Sequence, residues 1–153
     1  ITTHKLKKYA TLLGADCPVF IQNKPVFAIG IGNVFTPIKL SLKGYFLLLV
    51  KPDIHVSTPQ AYSNVLPTKP DSSLADLIQK PITEWKETIQ NDFEKSVFAL
   101  FPEIEIIKNR IYQMGAVYAS MSGSGSSVYG IFETEPENIS IFKDCFVRYG
   151  ILD

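Results

Sequence analysis

Residues 120 to 130 read Ser-Met-Ser-Gly-Ser-Gly-Ser-Ser-Val-Tyr-Gly, and no other stretch constrains the fold as much. The approach, Ala116 to Ser120, is small and β-prone, and the exit, Ser127 to Phe132, alternates like a strand. Between them, Gly123, Ser124, Gly125 and Ser126 cannot fill a core. A loop of this kind exposes N–H groups and hydroxyls, and glycine lets the backbone approach a ligand closely. Successive free N–H groups make an anion nest. The stretch therefore reads as a loop that faces phosphate, or as a plain hairpin turn with glycines at its positive-φ positions. Two sharper motifs are excluded. A dinucleotide fingerprint needs a third glycine where Val128 stands, and a Walker A loop needs Lys-Ser/Thr where Gly130 is followed by Ile131.

Composition narrows the class. The 153 residues are 46% hydrophobic and 20% charged, a globular balance. Formal net charge is zero, so a nucleic-acid partner gets no electrostatic support. Cys17 and Cys145 give neither a disulfide framework nor a metal spacing, and no metal site is expected. Both read as reduced thiols of a cytoplasmic protein, where the sequon at Asn138 would be chance. The apolar run Tyr45 to Val50 is too short for a membrane span, and no signal peptide is expected. The sequence starts at Ile1 without Met and reads at once as a helix entrance, so a fragment lacking an N-terminal part is expected.

In order, Thr3 is the expected cap of a helix carrying Leu6, Tyr9, Ala10 and Leu13, stopped by Gly14. Asp16 follows as the one charge in an apolar neighbourhood, before an expected strand at Val19-Phe20-Ile21. It reads as an Asx-type turn residue, or as a carboxylate placed for general-base or metal work. Val26 to Ile29 and Asn33 to Ile38 read as a hairpin, and Lys39 to Gly44 as a linker. The domain boundary is placed there, giving units 1–44 and 45–153.

Tyr45 to Val50 reads as a buried strand, leading to a helix with Thr58 as cap and Pro59 as first residue. Tyr62 falls one turn in. Core packing and capping would explain Thr58 and Tyr62; so would a helix N-terminus against phosphate with a ring against a planar base. His55 has no evident acidic partner and is not read as a catalyst. Pro67 to Ser73 reads as a loop. Leu74 to Gln79, Thr83 to Gln90, Asp92 to Phe101, Glu103 to Met114 and Glu135 to Lys143 read as helices, and Phe146 to Leu152 as a last strand. This order suits an α+β fold with helices on one face of an antiparallel sheet.

Three separated stretches then agree. Leu13 to Ile21, LGADCPVFI, looks like the motif around the catalytic aspartate of the 4-diphosphocytidyl-2-C-methyl-D-erythritol kinase family. Lys51 to Tyr62, KPDIHVSTPQAY, resembles that family's strand-to-helix segment. Tyr118 to Phe132 resembles the third signature motif of the wider galactokinase, homoserine kinase, mevalonate kinase and phosphomevalonate kinase superfamily, and Asn91 to Glu94 matches its Asn-Asp element. The superfamily's glycine- and serine-rich ATP loop, which precedes the Gly-Ala-Asp motif, does not occur, nor do the family's N-terminal substrate contacts.

The resemblance implies the tail of an N-terminal kinase domain followed by a complete ferredoxin-like C-terminal domain. It implies an ATP- and Mg2+-using kinase of isoprenoid synthesis whose substrate is a cytidine diphosphate sugar-alcohol. In that reading Asp16 is the general base, Thr58 contacts the diphosphate and Tyr62 stacks on the cytosine. Gly123, Ser124, Gly125 and Ser126 close over phosphates. No nucleic-acid or membrane partner is implied, and the piece in hand is expected to be inactive alone. The rival readings are a homoserine or mevalonate-pathway kinase and a non-catalytic ferredoxin-like ligand-binding domain.

Overall fold

A computed structural model describes residues 1–65 and 72–153. The chain divides into two compact units, Ile1–Ser41 and Leu42–Asp153.

In the first unit, helix α1 spans Thr3–Leu13 and its cap is Thr2, not Thr3: the Thr2 hydroxyl accepts from the Lys5 N–H. Val19–Gln22 is a helical turn, α2, rather than the expected strand. Three β-favouring side chains lose here to the turn that precedes them. The Val19 and Phe20 N–H groups are taken by the carbonyls of Asp16 and Cys17, and Pro18 has the φ that opens a helix. Val26–Ile29 (β1) and Val34–Pro37 (β2) pair antiparallel as a hairpin.

The second unit is built on four antiparallel strands: β3 (Phe46–Lys51), β4 (Tyr118–Met121), β5 (Val128–Phe132) and β6 (Phe146–Ile151), in the order β4-β5-β3-β6. With helices between β3 and β4, this is the split βαβ order of a ferredoxin-like sheet, an α+β fold. Side chains alternate, so Leu48, Val50, Val128 and Met121 share one face. Helices α6 (Glu94–Leu100) and α7 (Pro102–Gln113) cover it with Val97, Ile104, Ile107 and Ile111. Each such side chain taken from water contributes about 1.5–3 kcal/mol. The approach of α7 to the sheet is close. A Cβ at Gly130 would run into Ile111, so the glycine there is a packing requirement.

The remaining elements are α3 (Thr58–Tyr62), α4 (Leu74–Leu77), a 3-10 turn at Ile82–Glu84 and α5 (Trp85–Thr88). The helix expected at Asp92 starts at Glu94, and that expected over Thr83 to Gln90 is split into the turn and α5. Ser57, not Thr58, caps α3. Its hydroxyl accepts from the Gln60 N–H while the Gln60 side chain takes the Ser57 N–H, a reciprocal capping box. The helix expected over Glu135 to Lys143 is a single 3-10 turn, Ile139–Phe142. Asn138 adopts a left-handed φ of 57°, so no longer helix can run through. Most of the loop expected over Pro67 to Ser73 lies outside the described residues.

Candidate functional site

The glycine loop joins the ends of β4 and β5. Its base is a hydrogen bond from Ser122 N–H to Ser127 carbonyl at 2.8 Å, and inside it Gly125 N–H donates to the Ser122 carbonyl at 3.0 Å. Gly123 and Gly125 have φ of 56° and 89°, the left-handed region that glycine occupies without strain. At Gly125 a Cβ would also stand 2.8 Å from the Met121 sulfur. The hairpin geometry and an outward-facing set of donors thus coexist. Among the described residues, the N–H groups of Gly123 and Ser124 meet no acceptor. The Ser126 hydroxyl is already committed: it donates to the Ile54 carbonyl at 2.6 Å and the residue is buried.

The loop is held from the side by α6 and the residues before it. Strand β4 is an edge of the sheet, so Met121 shows an unpaired N–H and carbonyl outward. Both are satisfied by side chains. The Met121 N–H donates to Glu94 Oε1 at 2.8 Å, and Asn91 Nδ2 donates to the Met121 carbonyl at 2.8 Å. The same Asn91 nitrogen donates to the Gly123 carbonyl at 2.8 Å, while Asn91 Oδ1 accepts from the Phe93 N–H at 2.9 Å. Glu94 is buried, and Lys108 Nζ lies 2.6 Å from its Oε2, which compensates the charge. The resemblance marks Glu94 in the sequence but not its bonds, because its partners Lys108 and Met121 are 14 and 27 residues away.

The α3 segment reaches the same neighbourhood. Ser126 ties the loop to Ile54, ahead of Ser57, and the Ser96 hydroxyl on α6 donates to the Gln60 carbonyl at 3.4 Å. Tyr62 is 60% exposed, and its ring meets Phe93 edge to face at 4.8 Å between centroids. Tyr62 is therefore a surface ring propped on a second aromatic, not a core residue. Thr58 is exposed at the start of α3. Helix α3 has five residues, too short for a macrodipole argument, and its opening N–H groups are served by Ser57. A cavity of about 560 Å³ opens beside Asn91, Glu94, Lys95, Phe98 and Lys108, but neither Thr58, Tyr62 nor the loop lines it.

Asp16 belongs to the first unit. It sits exposed in the turn between α1 and α2, and its carboxylate makes no hydrogen bond to any described residue. An Asx turn would need one. Among the described residues no group of three or more His, Cys, Asp or Glu is placed to hold a metal ion, and no helix is long and apolar enough to cross a membrane. The displaced ionisations lie in the packed sheet and on the elements against it. Burial pushes the Tyr118 phenol well above the ordinary range, with Tyr129 beside it adding to the effect. Burial likewise raises Tyr112, Tyr129 and the Cys145 thiol.

Residues 73–145 match the family described as GHMP kinases C terminal. The chain is similar to GHMP kinases over this stretch. It is 56% identical over 150 residues to the 4-diphosphocytidyl-2-C-methyl-D-erythritol kinase of Parabacteroides distasonis, covering 97% of this chain and 55% of that protein. With the Bacteroides fragilis protein of the same name it is 58% identical over 135 residues, 88% of this chain and 49% of the relative. The chain thus spans about half the length of the curated relatives it matches. A crystal structure of 4-(cytidine 5'-diphospho)-2C-methyl-D-erythritol kinase superposes with a TM-score of 0.78 at 26% identity, over 96% of this chain and 56% of that one. A homoserine kinase from Cytophaga hutchinsonii shares the fold, with a TM-score of 0.53 at 15% identity over 78% of this chain and 44% of that one. The matched residues 73–145 hold α6, α7, β4, β5 and the glycine loop, while β3 and β6 lie outside them.

Proposed function

We propose that the protein to which this chain belongs is a cytoplasmic, ATP-dependent kinase that phosphorylates the 2-hydroxyl of 4-diphosphocytidyl-2-C-methyl-D-erythritol in non-mevalonate isoprenoid synthesis. The observation that carries the reading is the meeting of three motifs within the second unit. The propped ring of Tyr62, the Asn91 element and the unpartnered N–H of Ser124 are linked through Phe93, Ile54 and Ser126. A ligand with a planar base at one end and phosphates at the other matches such a surface. The names of the relatives supply that ligand's class.

Phosphoryl transfer asks the protein for positioning and charge neutralisation more than for covalent chemistry. ATP, when bound, supplies the phosphoryl group. The loop at Gly123, Ser124, Gly125 and Ser126 closes over phosphate oxygens and offers N–H donors where negative charge develops. Tyr62 stacks on the cytosine and Thr58 touches the diphosphate. Asp16, free of competing hydrogen bonds, accepts the proton of the attacking hydroxyl. The unit Ile1–Ser41 that carries it is the tail of the ATP-binding domain. Mg2+ would come with ATP, held mainly by the phosphate oxygens and water, and would neutralise the charge on the transferring group.

An ADP-release assay on the full-length protein tests the reading with three acceptors side by side: the cytidine substrate, homoserine and mevalonate. Turnover confined to the cytidine substrate is expected. Turnover on homoserine or mevalonate instead would replace the substrate, and turnover on none would favour a non-catalytic ligand-binding domain.

A further inference from the structure

We infer that Asn91 is a positioning residue that aims the Ser124 N–H at a phosphate oxygen. The inference rests on the reading of the glycine loop as a phosphate cover, and it adds the group that gives the loop its direction.

The argument starts from the planarity of the peptide unit. In a trans peptide the carbonyl of one residue and the N–H of the next point in opposite directions. Asn91 Nδ2 holds the Gly123 carbonyl at 2.8 Å on the α6 side. The N–H of Ser124 therefore points away from Asn91, out of the loop, where no described residue accepts it. The second amide hydrogen of Asn91 holds the Met121 carbonyl, also at 2.8 Å. By the same geometry the Ser122 N–H turns the other way, onto the Ser127 carbonyl that closes the hairpin. One side chain thus sets two peptide planes, one to close the loop and one to present a donor.

The amide of Asn91 cannot serve the loop equally well in reverse. Its Oδ1 is engaged by the Phe93 N–H at 2.9 Å, which leaves the NH₂ group facing the two carbonyls. Glu94 locks the same point of β4 by taking the Met121 N–H. A residue present only to cover a sheet edge would need the bond to Met121 alone. The bond to Gly123 lies beyond the strand and acts on the loop.

The test uses isotope-labelled full-length protein. Asn91→Asp keeps the shape and the acceptor for Phe93 but loses both donors, and Asn91→Ala removes the group without adding charge. Turnover, thermal stability and the Ser124 amide resonance are followed as a non-hydrolysable ATP analogue and the cytidine substrate are added. In the wild type the Ser124 amide should shift strongly. In both variants that shift should shrink, and kcat should fall about 10-fold or more, a part of the 10²–10³-fold that losing a direct donor costs. This should hold well below the melting temperature. A silent Ser124 amide in the wild type would remove the loop reading itself. A responsive wild type, with variants that keep both the shift and kcat, would overturn the role of Asn91 alone. Loss of the fold in both variants would also overturn it, leaving Asn91 a structural residue.

Discussion

The glycine loop and the Asp16 turn both offer polar groups to solvent, but they are held in opposite ways. The loop is fixed from three directions: across its base by Ser122 and Ser127, from the side by Asn91, and from below by Ser126 on Ile54. The Asp16 turn is held by its own backbone, through bonds from Cys17, Val19 and Phe20, and by the Lys7 ammonium on the Gln22 amide across it, and its carboxylate meets no partner among the described residues. A donor array must be rigid to act on charge as it develops, so its support is visible wherever the fold is complete. The proton acceptor proposed at Asp16 needs one free lone pair and can do without such support. The two regions should accordingly respond to substitution differently: Asp16 in rate alone, the loop's supports in rate or in stability according to whether they aim a donor, as Asn91 does, or hold the strand, as Glu94 does.

The largest effect expected is on rate. Asp16→Asn in the full-length protein should lower kcat by about 10²–10⁴-fold, the range of general-base assistance, with melting temperature and cytidine-substrate affinity nearly unchanged. Retention of more than about a tenth of the turnover would remove Asp16 from that role and send the search to Asp53 and Asp92. The reverse pattern belongs to Glu94. Glu94→Ala strands the Lys108 ammonium and the Met121 N–H, and denaturant unfolding should show a loss of about 3 kcal/mol or more. A loss under about 1 kcal/mol would mean that Lys108 escapes to water and the clamp is dispensable.

Tyr62→Ala should weaken cytidine-substrate binding by about 1–3 kcal/mol with little change in stability, and Tyr62→Phe should keep most of the affinity. Equal binding by Ala and wild type, read by calorimetry, would leave the ring a bystander on Phe93. The smallest effect is at the cap. Ser57→Ala should cost about 1 kcal/mol of stability, whereas Thr58→Ala should cost little stability and appear instead in substrate affinity. A swap of those two outcomes would reverse the assignment of cap and contact.

The sequence is legible where a signal is local. Gly123 and Gly125 between two β-prone runs mark the hairpin, and Ile104, Ile107 and Ile111 mark the covering face of α7. One misplacement is avoidable from a local signal: Gln60 stands three residues after Ser57, which identifies the cap. The left-handed Asn138 that stops the helix expected from Glu135 has no such signal. The clamp was not legible. Asn91 and Glu94 act on residues 26 to 32 positions ahead, and nothing in their own neighbourhood announces it. Val19 to Ile21 misled because β-propensity in three residues is weaker than a turn that hands its carbonyls to the next N–H groups.

The bond from the Ser126 hydroxyl to the Ile54 carbonyl has a consequence for how tightly a ligand can be held. It couples the donor loop to the segment that leads into α3 and Tyr62. A molecule touching both ends of that surface meets two regions whose relative freedom was already surrendered when the sheet formed. Little further ordering is required at the moment of binding, so more of each contact survives as affinity. A single serine hydroxyl turned inward thus adds to the preorganisation of the whole surface.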